Sequence, residues 1–265
     1  MYEKEKQEIL GVLKEYGLDS FDLKPLSFKE HETFNKELIT YLRGKADFVF
    51  TFQGGLENKI LLFNEAKFNG LESKYKTFSI LHEGFHAKSS IFSEYERVYK
   101  ENGGRIKGIY DHAIGLLSEI YAHKETIKIL KGESVVFWKG QEPCVENDNV
   151  CSIIEELSTK ILHDSNKNRE TIRQLIEGYF YPLIGGLVYK KVIYDVSGPL
   201  LESAPDLKDD LEKSFVRFYC GIDALIKIPS ENLFDNSNVE ISAKKFKDLW
   251  DEIGKRLNEN FNMAN

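Results

Sequence analysis

The sequence predicts a mainly α chain with a small β-sheet, an α+β architecture. Three observations carry this. Long segments place their apolar residues at helical spacing. One short region is instead rich in strand-forming residues around a Gly-Gly turn. No repeat of 20–50 residues and no low-complexity tract points to a solenoid or an array. The 265 residues suit one large domain or two small ones, and they can bury a core without disulfides or a structural metal. The expected division is residues 1–140, with helices at the start of the chain, and residues 141–265, a helical portion packing on the first as a second domain or as part of a single one.

Residues 2–16 read as an amphipathic helix, with Ile9, Leu10 and Leu13 on one side and Gly17 as its stop. Residues 19–28, with Pro25, read as irregular. Residues 31–43 read as a second helix that turns Phe34, Leu38, Ile39 and Leu42 inward. Residues 47–52 (Asp-Phe-Val-Phe-Thr-Phe) and 59–64 (Lys-Ile-Leu-Leu-Phe-Asn) are strands by composition, joined through Gly54-Gly55 into a hairpin. Residues 75–90 form a helix with Phe78, Leu81 and Phe85 as its apolar stripe and Ser73 or Thr77 at its start. Residues 110–130 are a long uninterrupted helical stretch. Residues 134–138 suit a short strand and residues 140–149 a linker. Residues 151–163, 169–195, 206–226 and 242–260 read as helices, the last with Phe246, Leu249, Trp250, Ile253 and Leu257 at helical spacing.

Composition excludes several function classes. A net charge of −7 with no long basic cluster makes nucleic acid and anionic membrane poor partners. The longest apolar run, near residues 179–194, is broken by Pro182 and Lys190-Lys191 and is too short to span a bilayer. The charged start leads into no apolar segment of a signal peptide. Three cysteines, none in C-x-x-C spacing, argue against a zinc ribbon and fit a reducing compartment. The expectation is a cytoplasmic protein.

The chemistry concentrates in Ile80-Leu81-His82-Glu83-Gly84-Phe85-His86-Ala87, which contains H-E-x-x-H. On a helix, His82 and His86 stand one turn apart on one face, where both imidazoles can reach one ion. Glu83 leans over the same side. Two ligands, a general base and a metal that acidifies water describe a zinc-dependent hydrolase. Catalytic zinc takes three protein ligands, so a third is needed. Positions 89 and 92 are Ser and Phe, which rules out the longer signature with a third His six residues on. The stretch 110–130 offers a stripe instead: His112, Leu116, Glu119 and His123, spaced 4, 3 and 4 apart. Such a polar stripe on an apolar helix has to be paired. Glu119 is the preferred third ligand and His112 the alternative. The oxyanion donor is left open among His112, His123, Tyr110, Tyr121, Tyr179 and Tyr181.

At this point the sequence resembles the gluzincin branch of the zincin metallopeptidases, which carry H-E-x-x-H on one helix and a ligand Glu on a following helix. The resemblance covers roughly residues 47–130, by motif and element order. It implies a zincin-like core, one Zn2+ per chain held by His82, His86 and Glu119, Glu83 as general base, and a peptide or protein substrate lying against an exposed strand edge beside the motif helix. The family often has an acid one turn after its ligand Glu, where it orients a ligand His. Here that position is His123, which can orient a ligand, donate to the oxyanion or bind the metal. Two other readings stay open. One is a helical protein using His82, His86, His112, Glu119 and His123 for one or two metals in non-peptidase chemistry. The other is a catalytically silent binding module on the same scaffold.

Overall fold

The computed structural model describes residues 2–21, 23–37, 39–40, 50–53, 59–92, 107–130, 159, 188 and 210–263. Their architecture is mainly helical with one small sheet. The chain divides into two compact units, Met1–Glu94 with Glu125–Phe137, and Tyr95–Lys124 with Trp138–Asn265. The expectations for residues 134–138, 140–149, 151–163 and 169–195 lie outside the described residues, Thr159 and Val188 apart.

In the first unit, helix α1 (Glu3–Glu15) buries Ile9 and Leu13 completely. It ends on Gly17, whose φ of +70° is the left-handed conformation that glycine adopts without penalty. The Gly17 N–H donates to the Lys14 carbonyl at 3.1 Å and the Leu18 N–H to the Leu13 carbonyl at 2.7 Å. Those two bonds make a Schellman cap, and they bring Leu13 and Leu18 together as its apolar contact.

The chain then forms a strand where the sequence reads as irregular. Strand β1 (Lys24–Ser27) includes Pro25 and pairs in parallel with β3 (Ile60–Phe63), Lys24 opposite Ile60 and Ser27 opposite Phe63. Strand β2 (Phe50–Gln53) pairs antiparallel with β3, giving the order β1-β3-β2. Pro25 is tolerated because β1 is, among the described residues, an edge of the sheet, where a missing N–H costs no ladder bond. The central β3 buries Leu61, Leu62 and Phe63, so its two faces are both covered. The expected hairpin is present as β2 and β3; its turn, and residues 47–49, lie outside the described residues.

A short helix α2 (Phe28–His31) follows β1 and is fixed by a capping box. The Glu30 N–H donates to Ser27 Oγ at 3.1 Å, the Ser27 N–H donates to Glu30 Oε2 at 3.1 Å, and Lys6 Nζ of α1 donates to Glu30 Oε1 at 2.8 Å. The continuous helix read over 31–43 is not what forms. The chain turns at 32–34 and resumes helical geometry at 36. Phe34 therefore stands in a turn and is 81 % exposed, while Ile39 packs with Phe28 and Leu62.

Helix α3 (Glu65–Phe68) is capped by Asn64, and helix α4 (Ser73–Phe92) carries the H-E-x-x-H motif. The α4 helix starts at Ser73, which leaves Thr77 a turn inside it. Phe78, Leu81 and Phe85 are buried as their spacing predicts. The helix packs on β2 and on α1. Helix α5 (Lys107–Leu130) matches the long stretch read from 110 and begins three residues earlier.

In the second unit, α6 (Asp210–Ile226) and α7 (Asn236–Met263) pack as a pair. Phe218 meets Phe246 edge-on at 4.7 Å, and Leu249 and Ile253 are buried. Residues 107–124 of α5 join this unit through Tyr110, whose hydroxyl donates to Glu240, and through Lys124, whose ammonium donates to the Ile226 carbonyl at 2.9 Å and so caps the end of α6. No helix among the described residues is long and apolar enough to cross a membrane.

Candidate metal centre

The motif histidines are presented by α4 as one stripe in which Phe78, His82 and His86 stand a turn apart. The Phe78 ring stacks on His82 at 6.1 Å and 19°, which restricts the imidazole from its N-terminal side. The His82 and His86 rings meet edge to face at 88°, with their Nε2 atoms 3.0 Å apart. Two nitrogens bound to one zinc at 2.0–2.1 Å and a tetrahedral angle would stand ~3.3 Å apart. The pair is therefore already spaced to within a few tenths of an ångström of a shared ion. Ser89 Oγ donates to the His86 carbonyl at 2.9 Å. Glu83 is half-buried on the same helix, between the two histidines in sequence.

The back of this turn is set by Gly84. A Cβ there would lie 2.9 Å from Leu13 Cδ2 and 2.9 Å from Leu18 Cδ1. The Schellman cap of α1 thus presses its two leucines onto the one residue of the motif that has no side chain, and α4 is held close on the face opposite the imidazoles.

On α5, Glu119 and His123 are four residues apart, with Glu119 Oε2 and His123 Nε2 separated by 3.8 Å. Both side chains are largely covered, 25 % and 12 % exposed. Glu119 and His123 thus form a carboxylate–imidazole pair on one turn of α5, as His82 and His86 form an imidazole pair on one turn of α4. Imidazole and carboxylate are the donor types that zinc takes in hydrolytic sites.

The remaining residues fall out as follows. His86 pairs with His82 on α4 through their Nε2 atoms. His112, two turns or ~10 Å before Glu119 along the helix, is buried against α7, stacked on Phe246 at 5.4 Å and tilted toward Trp250 at 6.0 Å. It belongs to the packing of the second unit. The Tyr110 hydroxyl donates to both Glu240 oxygens, at 2.7 and 2.8 Å. Burial, and then the Glu240 carboxylate, push its pKa up to about 12. Tyr121 packs edge-on with Phe234 at 5.9 Å. Tyr179 and Tyr181 lie outside the described residues. The sequence reading missed the close approach at Gly84, although a glycine inside a helix that otherwise lacks one is a recognisable sign of it.

No family model matches the chain, and no curated protein or solved structure matches it.

Proposed function

We propose that the chain is a zinc-dependent peptidase of gluzincin type, with one ion held by His82, His86 and Glu119. The observation that carries the reading is the His82–His86 pair, whose Nε2 atoms stand 3.0 Å apart beside Glu83. Glu119, on the long helix α5 that follows the motif helix, is the carboxylate this reading takes as third ligand. A zinc ion bound there supplies Lewis acidity: it lowers the pKa of water and polarises a carbonyl.

The chain's own residues do the rest. Phe78, Leu13 and Leu18 hold the imidazoles in register. Glu83 takes the proton of the attacking water and hands it to the departing amine, which is general base and then general acid catalysis by one carboxylate. Among the described residues β2 is hydrogen-bonded only to β3, and α4 packs on it. An extended peptide that paired with the open side of β2 would run alongside the motif helix, with backbone groups supplying the affinity. The few cysteines, outside any C-x-x-C spacing, fit a cytoplasmic setting.

The test is Glu83→Gln. Zinc content, measured by elemental analysis of protein purified without added metal, stays at one per chain, while cleavage of a peptide library falls by about a hundredfold or more. Unchanged cleavage would remove Glu83 from the mechanism. Wild-type protein that carries zinc and cleaves no peptide in the library would point to the non-peptidase metal protein instead.

A further inference from the structure

We infer that the His82–His86 pair of α4 is by itself a chelate for copper(II), complete without a ligand from any other helix. This rests on the same two imidazoles as the proposed function and concerns a second ion that competes for them, so the two readings can fail separately.

The spacing of the donors carries the inference. Two nitrogens bound to a first-row ion at ~2.0–2.1 Å stand ~3.3 Å apart at the tetrahedral angle and ~2.8–3.0 Å apart at a right angle. The Nε2 atoms of His82 and His86 are 3.0 Å apart. That is the spacing of neighbouring corners in a square-planar or tetragonal ion, the arrangement copper(II) takes with nitrogen and oxygen donors. A tetrahedral zinc has to spread the pair by a few tenths of an ångström. Copper(II) takes it as it stands.

The pair is also held ready. Residues four apart on a helix face the same way, and both histidines sit in the interior of a 20-residue helix. Phe78 stacks on the His82 ring at 19°, and the two imidazoles meet at 88°. On the opposite face Leu13 and Leu18 close on Gly84. Little side-chain freedom is left to lose on binding, which favours affinity. Both imidazoles are part-exposed, so an ion reaches them from solvent and water completes its remaining positions. Affinity at nitrogen-donor sites is higher for copper(II) than for zinc. Where both ions are supplied, copper(II) therefore takes the pair. It removes the two imidazoles on which the proposed hydrolysis depends, and metal exchange on α4 becomes a brake on that activity.

The test loads the full-length protein with copper(II) alone and reads it by electron paramagnetic resonance, with affinity taken from competition against a chromophoric chelator. The expected spectrum is tetragonal, with hyperfine splitting from two imidazole nitrogens. His82→Ala and His86→Ala, checked for folding by circular dichroism, each lower copper affinity by about tenfold or more, while Glu119→Gln leaves it unchanged. Fewer than two imidazole nitrogens in the wild-type spectrum overturn the assignment, and that measurement needs no variant to fold. Affinity unchanged in either histidine variant overturns it too, since the copper would then sit elsewhere in the chain. So does affinity lowered by Glu119→Gln, which would make the pair incomplete, or wild-type protein that keeps its zinc against an equal amount of copper(II). Copper held by the pair in a chain that binds no zinc supports the assignment and removes the zinc peptidase reading instead.

Discussion

His82 and His86 face each other across one turn of α4, with their Nε2 atoms 3.0 Å apart and the Phe78 ring stacked on His82. Under the proposed function each imidazole is one donor to the ion. In competition against a chromophoric chelator, His82→Ala and His86→Ala are each expected to weaken zinc binding by about tenfold or more. Unchanged affinity in either variant would contradict the proposed site. Tyr110 makes a different point. From the sequence it is one of the open choices for an oxyanion donor. In the structure its hydroxyl is held by Glu240, a residue 130 positions away that no local pattern connects to it. Because its folded pKa, about 12, is raised above the ordinary phenol value of 10.0, it contributes stability that is present below pH 10 and lost as pH rises through 12. Tyr110→Phe should remove that alkaline loss and cost only about 0.5–1 kcal/mol near neutrality, Glu240 being exposed. Denaturant titrations across pH 8 to about 12 measure both effects.

Helix α4 depends on its glycine more than on its propensity. Alanine at position 84 would gain ~1 kcal/mol of intrinsic helix stability. It would also place a methyl carbon 2.9 Å from two leucine carbons. Overpacking of this kind costs ~1–3 kcal/mol, so Gly84→Ala is expected to destabilise the protein on balance, read as a lower urea midpoint at unchanged m-value, and to loosen zinc binding with it. Strand β1 shows where local reading stops. Pro25 makes the segment look irregular, and its partner β3 begins 36 residues after Lys24, a pairing that only the folded chain reveals. The capping box beside it is absent from the sequence reading, although Ser27 and Glu30 stand in its S-x-x-E pattern, because the segment around Pro25 reads as irregular. Phe34 fails for a related reason: a turn at 32–34 breaks the helical wheel on which its inward position depended. Burial raises the Glu30 carboxyl, but the bonds from Lys6 and Ser27 outweigh it and hold the pKa below the ordinary 4.5. The stability this lends is present above pH 4.5 and lost as the pH falls below it. Glu30→Gln should flatten that acid limb, followed by fluorescence-detected unfolding between pH 5 and about 3.

Among the described residues, the helical character, the hairpin strands and the motif helix were legible because each rests on short-range periodicity. Which residues share a site was legible only in part. Helical spacing places His112, Glu119 and His123 on one stripe, yet it says nothing of the rings of Phe246 and Trp250 that receive His112. A chain of 265 residues builds its core without metal. Chelation should thus leave the far-UV circular dichroism nearly unchanged. Zinc at a hundred times its dissociation constant adds about 2.7 kcal/mol, or roughly 5–10 °C in Tm. A Tm indifferent to chelator would leave no ion for these residues to hold. The leucines that brace Gly84 come from the chain's first eighteen residues, none of which is a histidine. Truncating Leu13 or Leu18 to Ala should therefore loosen the motif helix at a distance of some seventy positions in sequence, read as a lower melting temperature. The first helix and its cap act as a buttress for the turn that carries His82 and His86.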